Sequence, residues 1–446
     1  MIFAFCILNL SEVNMPRSKK EKINKQSLHA LRGMRDILPD EWEYWDYFIK
    51  KAETLAKNYG YRFLETPVLE DTSLFVRGTG VDTDIVEKEM YSFMTKGGDN
   101  VSLRPEGTPG IVRAYIENGM NVWPHPVKVY YSGPMFRYER PQAGRYRQFH
   151  HFGFEAIGEE SPILDVQIIQ LTWKILESIG LKGLSIQINS IGCAVCRKAY
   201  RKLLVDYYEA ERNKLCQDCR RRLVRNPLRL LDCKEEKCMR LAALAPQTID
   251  HLCQECHDHF KSVLEYLDEL ELPYTLNPRL VRGLDYYTRT VFEIWSQGEE
   301  NFRGSLAGGG RYDDLVEILG GSSTPAIGSA IGIERVIEEL KVQEIRPSVS
   351  PQPKVFLIQL GELARKKSLK LFSELIEAGI QAAESFSKHS IKSQLKLADK
   401  LGAKIALILG QKEALDETII IRDMKSGMQE IVNFKKVIKE LKKRIK

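Results

Sequence analysis

The strongest constraint on how this chain folds is a change of pattern close to residue 345. Before it, short strand-like runs dominate, at residues 61–65, 68–70, 101–104, 127–132, 135–139, 149–157, 184–189, 284–295 and 303–306. Helical periodicity is confined to residues 41–59, 163–179, 263–270 and 332–340. Strands joined by hairpin-length turns favour a large antiparallel sheet flanked by helices. After it, strand and helix alternate: strands at 355–359, 380–383, 403–409 and 418–422, with helices at 363–378, then up to about 401, and at the end. That alternation predicts a small α/β domain. The junction at residues 344–353, EIRPSVSPQP, holds three prolines and two serines in ten residues, the composition of a linker. An α+β chain of several parts follows. Residues 27–340 form one domain, 341–353 a linker and 354–446 a second domain, with a cysteine-rich insertion at 190–262.

The remaining composition is permissive. A net charge of +6 allows a polyanionic partner without requiring one. The apolar start, MIFAFCILNL, has no basic residue before it, no small-residue cleavage site behind it, and is too short to cross a bilayer. The expectation is that the natural start is Met15 and that residues 1–26 are a leader outside the fold; a degenerate targeting peptide is the alternative. Residues 435–446 carry seven basic side chains and one acidic one, suited to a solvated helix end or to RNA phosphate. No segment reads as a membrane span, and the expected location is the cytoplasm.

Several segments could carry chemistry. In residues 135–157, MFRYERPQAGRYRQFHHFGFEAI, two strand-like pieces flank a loop rich in arginine: Arg137, Arg140, Arg145 and Arg147. An arginine fork matches two phosphate oxygens at once. On the second strand His151, Gly153 and Glu155 share a face, with Gly153 leaving space for a small polar ligand. Surface salt bridges would explain the arginines equally well. In LRPEGT, Glu106 could hold an ammonium group beside Gly107 and Thr108, although a turn would explain the segment too. In LVRGLDYYTRT, Tyr286 and Tyr287 next to Arg282 could line a pocket, or be one buried and one exposed tyrosine of a strand. AGGGRYDD (residues 307–314) permits close backbone approach to a ligand, or simply a tight turn. In AIGSAIGIER, small residues lead into a helix whose first turns carry Glu334 and Arg335, an arrangement suited to a nucleotide.

Each segment is ambiguous alone, but their order is distinctive. Pro67 on a strand, the hairpin opening with Phe-Arg-x-Glu and the Gly-Ile-Glu-Arg helix resemble motifs 1, 2 and 3 of class II aminoacyl-tRNA synthetases. LVRGLDYYTRTVFE and GGGRYDDL resemble the two motifs peculiar to the histidyl-tRNA synthetases, and RGMRDILPDE is similar to that family's first segment. The resemblance runs from about Arg32 to the C-terminus.

It implies a class II antiparallel-sheet catalytic domain, a C-terminal α/β anticodon-binding domain, and ligation of histidine to tRNA(His) with ATP and Mg²⁺. Glu106 and Thr108, with Gly107 between them, would hold the histidine ammonium group, and Glu155 would help fix the substrate. Arg137 would bridge the α-phosphate of ATP and the histidine carboxylate, with Arg282 at the α-phosphate as the second catalytic arginine. Tyr286 and Tyr287 would line the imidazole pocket, and Arg335 would pack on the nucleotide. Gln142 and Arg145 would touch the tRNA acceptor end. Motif 1 implies a homodimer. One position departs from the pattern: His151 stands where the family usually has glutamine. Neutral histidine offers one donor and one acceptor, and loses the acceptor when protonated. Reduced histidine affinity or a sharper pH dependence is therefore expected. The regulatory subunit of the first enzyme of histidine biosynthesis shares the catalytic fold, but lacks the anticodon domain and departs at the LVRGLDYY arginine. A catalytically dead RNA-binding module would show degraded arginines, whereas Arg137, Arg282 and Arg335 are all present.

Eight cysteines fall in four pairs: Cys193 and Cys196, Cys216 and Cys219, Cys233 and Cys238, and Cys253 and Cys256. A disulfide framework does not suit a chain with no secretory signal. The spacing suits two tetrahedral structural Zn²⁺ sites, one site with spare cysteines, or buried thiols without metal. The family has an insertion here that clamps the acceptor stem, so Arg220, Arg221, Arg222, Arg225 and Arg229 would face phosphate, or form a solvated helix face.

Overall fold

The structure, a computed structural model, describes residues 28–445 except 82, 143, 297–303, 348–352, 386 and 388–389. The leader, with Cys6, Met15 and its basic run, lies outside the described residues, as do residues 348–352 of the linker.

An eight-stranded sheet organises the first part of the chain. Its strands are β1 (Arg62–Phe63), β2 (Val127–Phe136), β3 (Gln148–Ile157), β4 (Leu184–Ser190), β5 (Tyr274–Leu276), β6 (Thr288–Ser296), β7 (Ala307–Arg311) and β8 (Ala326–Gly332). Their spatial order is β1-β2-β3-β8-β7-β6-β4-β5. The five inner pairings are antiparallel, and the short edge strands β1 and β5 pair in parallel. Alternation along β3 divides the sheet's faces. Phe152, Phe154 and Ala156 pack into a core with Trp45, Phe48 and Ala52 of the Pro39–Asn58 helix, Ile168 of the Pro162–Ser178 helix and Val336 of the Ile333–Val342 helix. Helices cover that face, so the polar residues of β3 open on the other.

Three local readings change. The pieces at 127–132 and 135–139 are one strand. Pro134 has no N–H, but pairing continues on both sides of it, Gly133 opposite His151 and Met135 opposite Phe149, and Arg104 Nε donates to the Pro134 carbonyl at 2.9 Å. Gly308, Gly309 and Gly310 form no tight turn: they are the middle of β7, inside the sheet. A Cβ on Gly309 would lie 2.1 Å from the Gly328 carbonyl oxygen, so the neighbouring strand requires glycine there. The strand expected from Leu284 begins only at Thr288, because the Asp285 N–H is taken by the Thr79 carbonyl and the preceding residues form a loop.

The insertion builds its own small core around Tyr200, Leu204, Tyr208, Leu223 and Leu230. The C-terminal part is a five-stranded mixed sheet. Its strands β9 (Val355–Gln359), β10 (Ala382–Glu384), β11 (Ile405–Leu409), β12 (Thr418–Asp423) and β13 (Gln429–Asn433) run in the order β10-β9-β11-β12-β13. Strand β13 is an addition to the sequence reading. The exposed Glu430 and Ile431 break the apolar alternation that would have marked it.

Candidate active site

The open face of the sheet carries a cleft of about 990 Å³ including its mouth. Its floor is built from buried carboxylates and tyrosines. Glu106 is 4% exposed and accepts hydrogen bonds from Thr79 Oγ1 at 2.8 Å and Tyr286 Oη at 2.6 Å. Glu155, on β3, accepts from Thr108 Oγ1 at 2.8 Å and Tyr312 Oη at 2.6 Å. Burial raises the pKa of both carboxyls, that of Glu155 to about 8. Tyr131 lies between them. A Cβ on Gly107 or Gly153 would come within 2.4 Å of its ring, so both glycines are needed to admit it. Tyr286 and Tyr287 are both buried, with ring centroids 4.7 Å apart, which rules out one exposed tyrosine of a strand.

Three arginines enter from the other side. Arg137 follows the end of β2 and is steadied by its Nε bond to the Pro105 carbonyl at 2.9 Å and by the Phe149 ring at 5.4 Å. Arg282 pairs with Glu293 and lies over the Tyr287 ring. Burial opposes its charge, but Glu293 and the two tyrosines hold its pKa above the ordinary value. A Cβ on Gly308 would reach 2.5 Å from its Nη1, so the β7 glycine makes room for the guanidinium. Arg335 donates to the Ser305 carbonyl at 2.7 Å. Its neighbour Glu334 accepts from the His150 backbone N–H at 2.9 Å and meets its Nδ1 at 2.8 Å, tying the helix start to β3.

His151 sits between the two groups. Burial, then Arg137, Arg335 and Arg282, lower its pKa to about 3. In the empty cleft it is therefore neutral from pH 6 to 8, which argues against a sharper pH dependence arising there and leaves reduced histidine affinity as the expected effect of His151. Its Nδ1 is buried without a hydrogen-bond partner among the described residues, as is Arg282 Nε. Both residues line the cleft, where a ligand or a water can pair with those atoms. Acids that could grip an ammonium group at one end and arginines that could grip phosphate and carboxylate at the other suit a zwitterion joined to a nucleotide.

The comparisons agree with this geometry. A family model described as histidyl-tRNA synthetase matches residues 33–336. The chain belongs to the histidyl-tRNA synthetase family. A second model, an anticodon binding domain, matches residues 354–444. A histidine–tRNA ligase of Dehalococcoides mccartyi is 49% identical over 93% of this chain and 99% of that protein. One of Pelotomaculum thermopropionicum is 45% identical over 93% and 97%. The apo histidyl-tRNA synthetase of S. aureus superposes with a TM-score of 0.79 at 37% identity, covering 93% of this chain and 99% of that one. The eight-stranded sheet is thus a class II synthetase catalytic domain, and the C-terminal sheet an anticodon-binding domain.

Among the sequence candidates, Glu106, Gly107, Thr108, Arg137, Arg145, His151, Glu155, Arg282, Tyr286, Tyr287 and Arg335 all line the synthetase cleft. Gln142 does not; it is exposed at the tip of the motif 2 loop, bridged to Arg145. Tyr131, Tyr312, Thr79 and Glu293 were missed. Alternation on β6 points Glu293 to the arginine, but only the fold brings the other three to the carboxylates.

The insertion arginines divide: Arg220, Arg221 and Arg225 lie on an exposed face, as one of the two expectations had it, and Arg222 and Arg229 do not. Arg222 and Arg229 pair with Asp84 of the catalytic domain at 2.9 and 3.4 Å and are largely covered, whereas Arg225 pairs with Glu87 while staying exposed to solvent. Arg220 and Arg221 are held locally, by the Asn213 carbonyl and Asp218. The cysteines assemble in two groups of four, Cys193, Cys196, Cys253 and Cys256, and Cys216, Cys219, Cys233 and Cys238, with sulfurs within 4.8 Å of one another. A tetrahedron with metal–sulfur bonds of ~2.3 Å puts its sulfurs about 3.8 Å apart. Cys193 and Cys196 lie 3.7 Å apart, and Cys216 and Cys233 3.9 Å.

Proposed function

We propose that the cleft carries out both halves of the histidine–tRNA ligase reaction, activating histidine with MgATP and passing the histidyl group to the terminal ribose of tRNA(His). The carrying observation is the division of the cleft into a carboxylate–tyrosine end and an arginine end. The histidine ammonium group sits at Glu106, Thr108 and Glu155, its imidazole against Tyr286 and Tyr287, and its carboxylate toward Arg137 and His151. The carboxylate is already ionised and needs no strong base to attack the α-phosphorus, so positioning and charge neutralisation are the work. Arg137 and Arg282 balance charge at that phosphorus as pyrophosphate leaves, and Arg335 holds the nucleotide. Gln142 and Arg145 lie where an acceptor end would meet the motif 2 loop, and residues 354–446 read the anticodon, with residues 27–340 as the catalytic body. Charging of a tRNA(His) transcript with histidine tests the reading: no acylation by folded protein, or equal charging with another amino acid, overturns it.

Three further parts belong to this reading. Each four-cysteine group holds a structural Zn²⁺, four thiolates leaving no open position for catalysis. Two chains pair through the segment around Pro67, where Phe63, Val68 and Leu69 are 51%, 36% and 46% exposed. The working compartment is the cytoplasm; no helix among the described residues is long and apolar enough to cross a membrane.

A pH prediction follows from Glu155. With its pKa at about 8 it is mostly protonated in the empty cleft at neutral pH, and must lose that proton to meet an ammonium group. Histidine affinity should therefore rise as pH goes from 6.5 through 8 and approach a plateau only about one pH unit higher. The KM for histidine across that range checks it. Glu155→Gln should flatten the profile, and His151→Gln should leave its slope intact.

A further inference from the structure

The two cysteine groups occupy different places. Cys216, Cys219, Cys233 and Cys238 lie inside the insertion. Cys193, Cys196, Cys253 and Cys256 lie at its neck, where the chain leaves β4 and where it returns. We infer that the neck group is a metal staple that positions the loop carrying Tyr286 and Tyr287, with Arg197 as the positioning residue between staple and histidine pocket. The inference rests on the zinc reading above and on those tyrosines lining the pocket.

Three ties support it, each within two residues of a neck thiol. Arg197, next to Cys196, donates from Nη1 to the Asp285 carbonyl at 3.2 Å and the Tyr287 carbonyl at 3.0 Å. Gly192, before Cys193, accepts from the Arg289 N–H at 2.9 Å, and the Ile191 N–H donates to the Arg289 carbonyl at 2.8 Å. Glu255, between Cys253 and Cys256, pairs with the Arg289 side chain. Arg289 itself, the second residue of β6 and two after Tyr287, has φ +47°, a left-handed backbone unfavourable for a side-chain-bearing residue, so the strand start that anchors the tyrosine loop needs outside support to keep its shape. The neck is also tightly closed: Cys196 Sγ accepts from the Cys253 N–H at 3.0 Å, and a Cβ on Gly192 would lie 2.4 Å from that of Cys196. At the far end of the loop, the Tyr286 hydroxyl reaches Glu106. A metal drawing four neck sulfurs together fixes Arg197, Gly192 and Glu255 at once, and through them the tyrosine rings.

The test uses the full-length protein, its metal content measured by mass spectrometry beside pyrophosphate-exchange kinetics. Wild type should carry two zinc ions per chain. Cys193→Ser should lose one and raise the histidine KM about tenfold, with the ATP KM within about twofold of wild type. Cys219→Ser should lose the other metal while the histidine KM moves less than about twofold. Arg197→Met should raise the histidine KM with both metals retained, and Arg197→Lys should recover part of it. Protein purified from zinc-supplemented medium without metal overturns the zinc reading and the staple with it. Loss of the neck metal at unchanged histidine KM overturns the staple alone, as does Arg197→Met with wild-type KM.

Discussion

Arg282→Met is expected to lower the kcat of pyrophosphate exchange by about 10²–10³-fold, the usual effect of removing one preorganised group that meets developing charge. The surroundings of Arg282 are built for one guanidinium. Glu293 holds it from β6, the Tyr287 ring lies beneath it, and β7 has glycine at 308, where any side chain would collide with it. Methionine keeps most of the volume and removes the charge, leaving Glu293 facing the cleft with no countercharge from this position. The loss should fall on kcat more than on the histidine KM, because the charge that Arg282 meets is greatest when the phosphorus is five-coordinate. Equal losses in stability would make the change uninformative, so the melting temperature is measured beside the kinetics. A variant that folds normally and turns over within threefold of wild type would remove Arg282 from the chemistry.

The second large effect is on stability. Arg311, at the end of β7, is fully buried, with Nε on Asp165 at 2.6 Å, Nη1 on Asp313 at 3.1 Å, and bonds to the Glu159 and Ser161 carbonyls at 3.1 and 3.0 Å. The same Asp165 meets His259 Nε2 at 2.8 Å, so one carboxylate joins the sheet to the helix that returns from the insertion. Removing one partner of a buried ion pair strands the other, at about 3–5 kcal/mol. Arg311→Met should therefore destabilise the catalytic part by that order, seen as an earlier denaturant midpoint, with the C-terminal sheet's transition unmoved. Two main transitions are expected, since the catalytic sheet and the C-terminal sheet bury separate cores. A midpoint equal to wild type would mean that the network contributes no net stability.

Much of the site was legible because its residues lie in short, ordered segments. Alternation along β3 alone puts His151, Gly153 and Glu155 on one face, and the structure has them there. What escaped was long-range pairing. Nothing near Tyr131 or Tyr312 in the chain says that each reaches a carboxylate, because those contacts depend on how strands stack. The three glycines of β7 were half legible: Gly308 does line the cleft, as the close-approach reading had it, but the tight-turn alternative fails. Glycine triplets suggest turns when the chain is read locally, yet here the crowding that demands glycine comes from β8 and from Arg282. The insertion arginines show the same limit: their charge was evident, but their partners Asp84 and Glu87 lie about 140 residues earlier. His151 is the instructive case. Its identity suggested a titrating contact, whereas burial and, after it, three guanidinium groups placed by the fold hold its pKa down in the empty cleft.

The most direct test of the central claim is amino-acid-dependent ATP–pyrophosphate exchange by the purified protein, run with histidine and with each of the other nineteen amino acids. Exchange with histidine alone is the predicted result. Exchange with none from a folded protein, or exchange led by another amino acid, would contradict the assignment of the carboxylate–tyrosine end of the cleft to histidine.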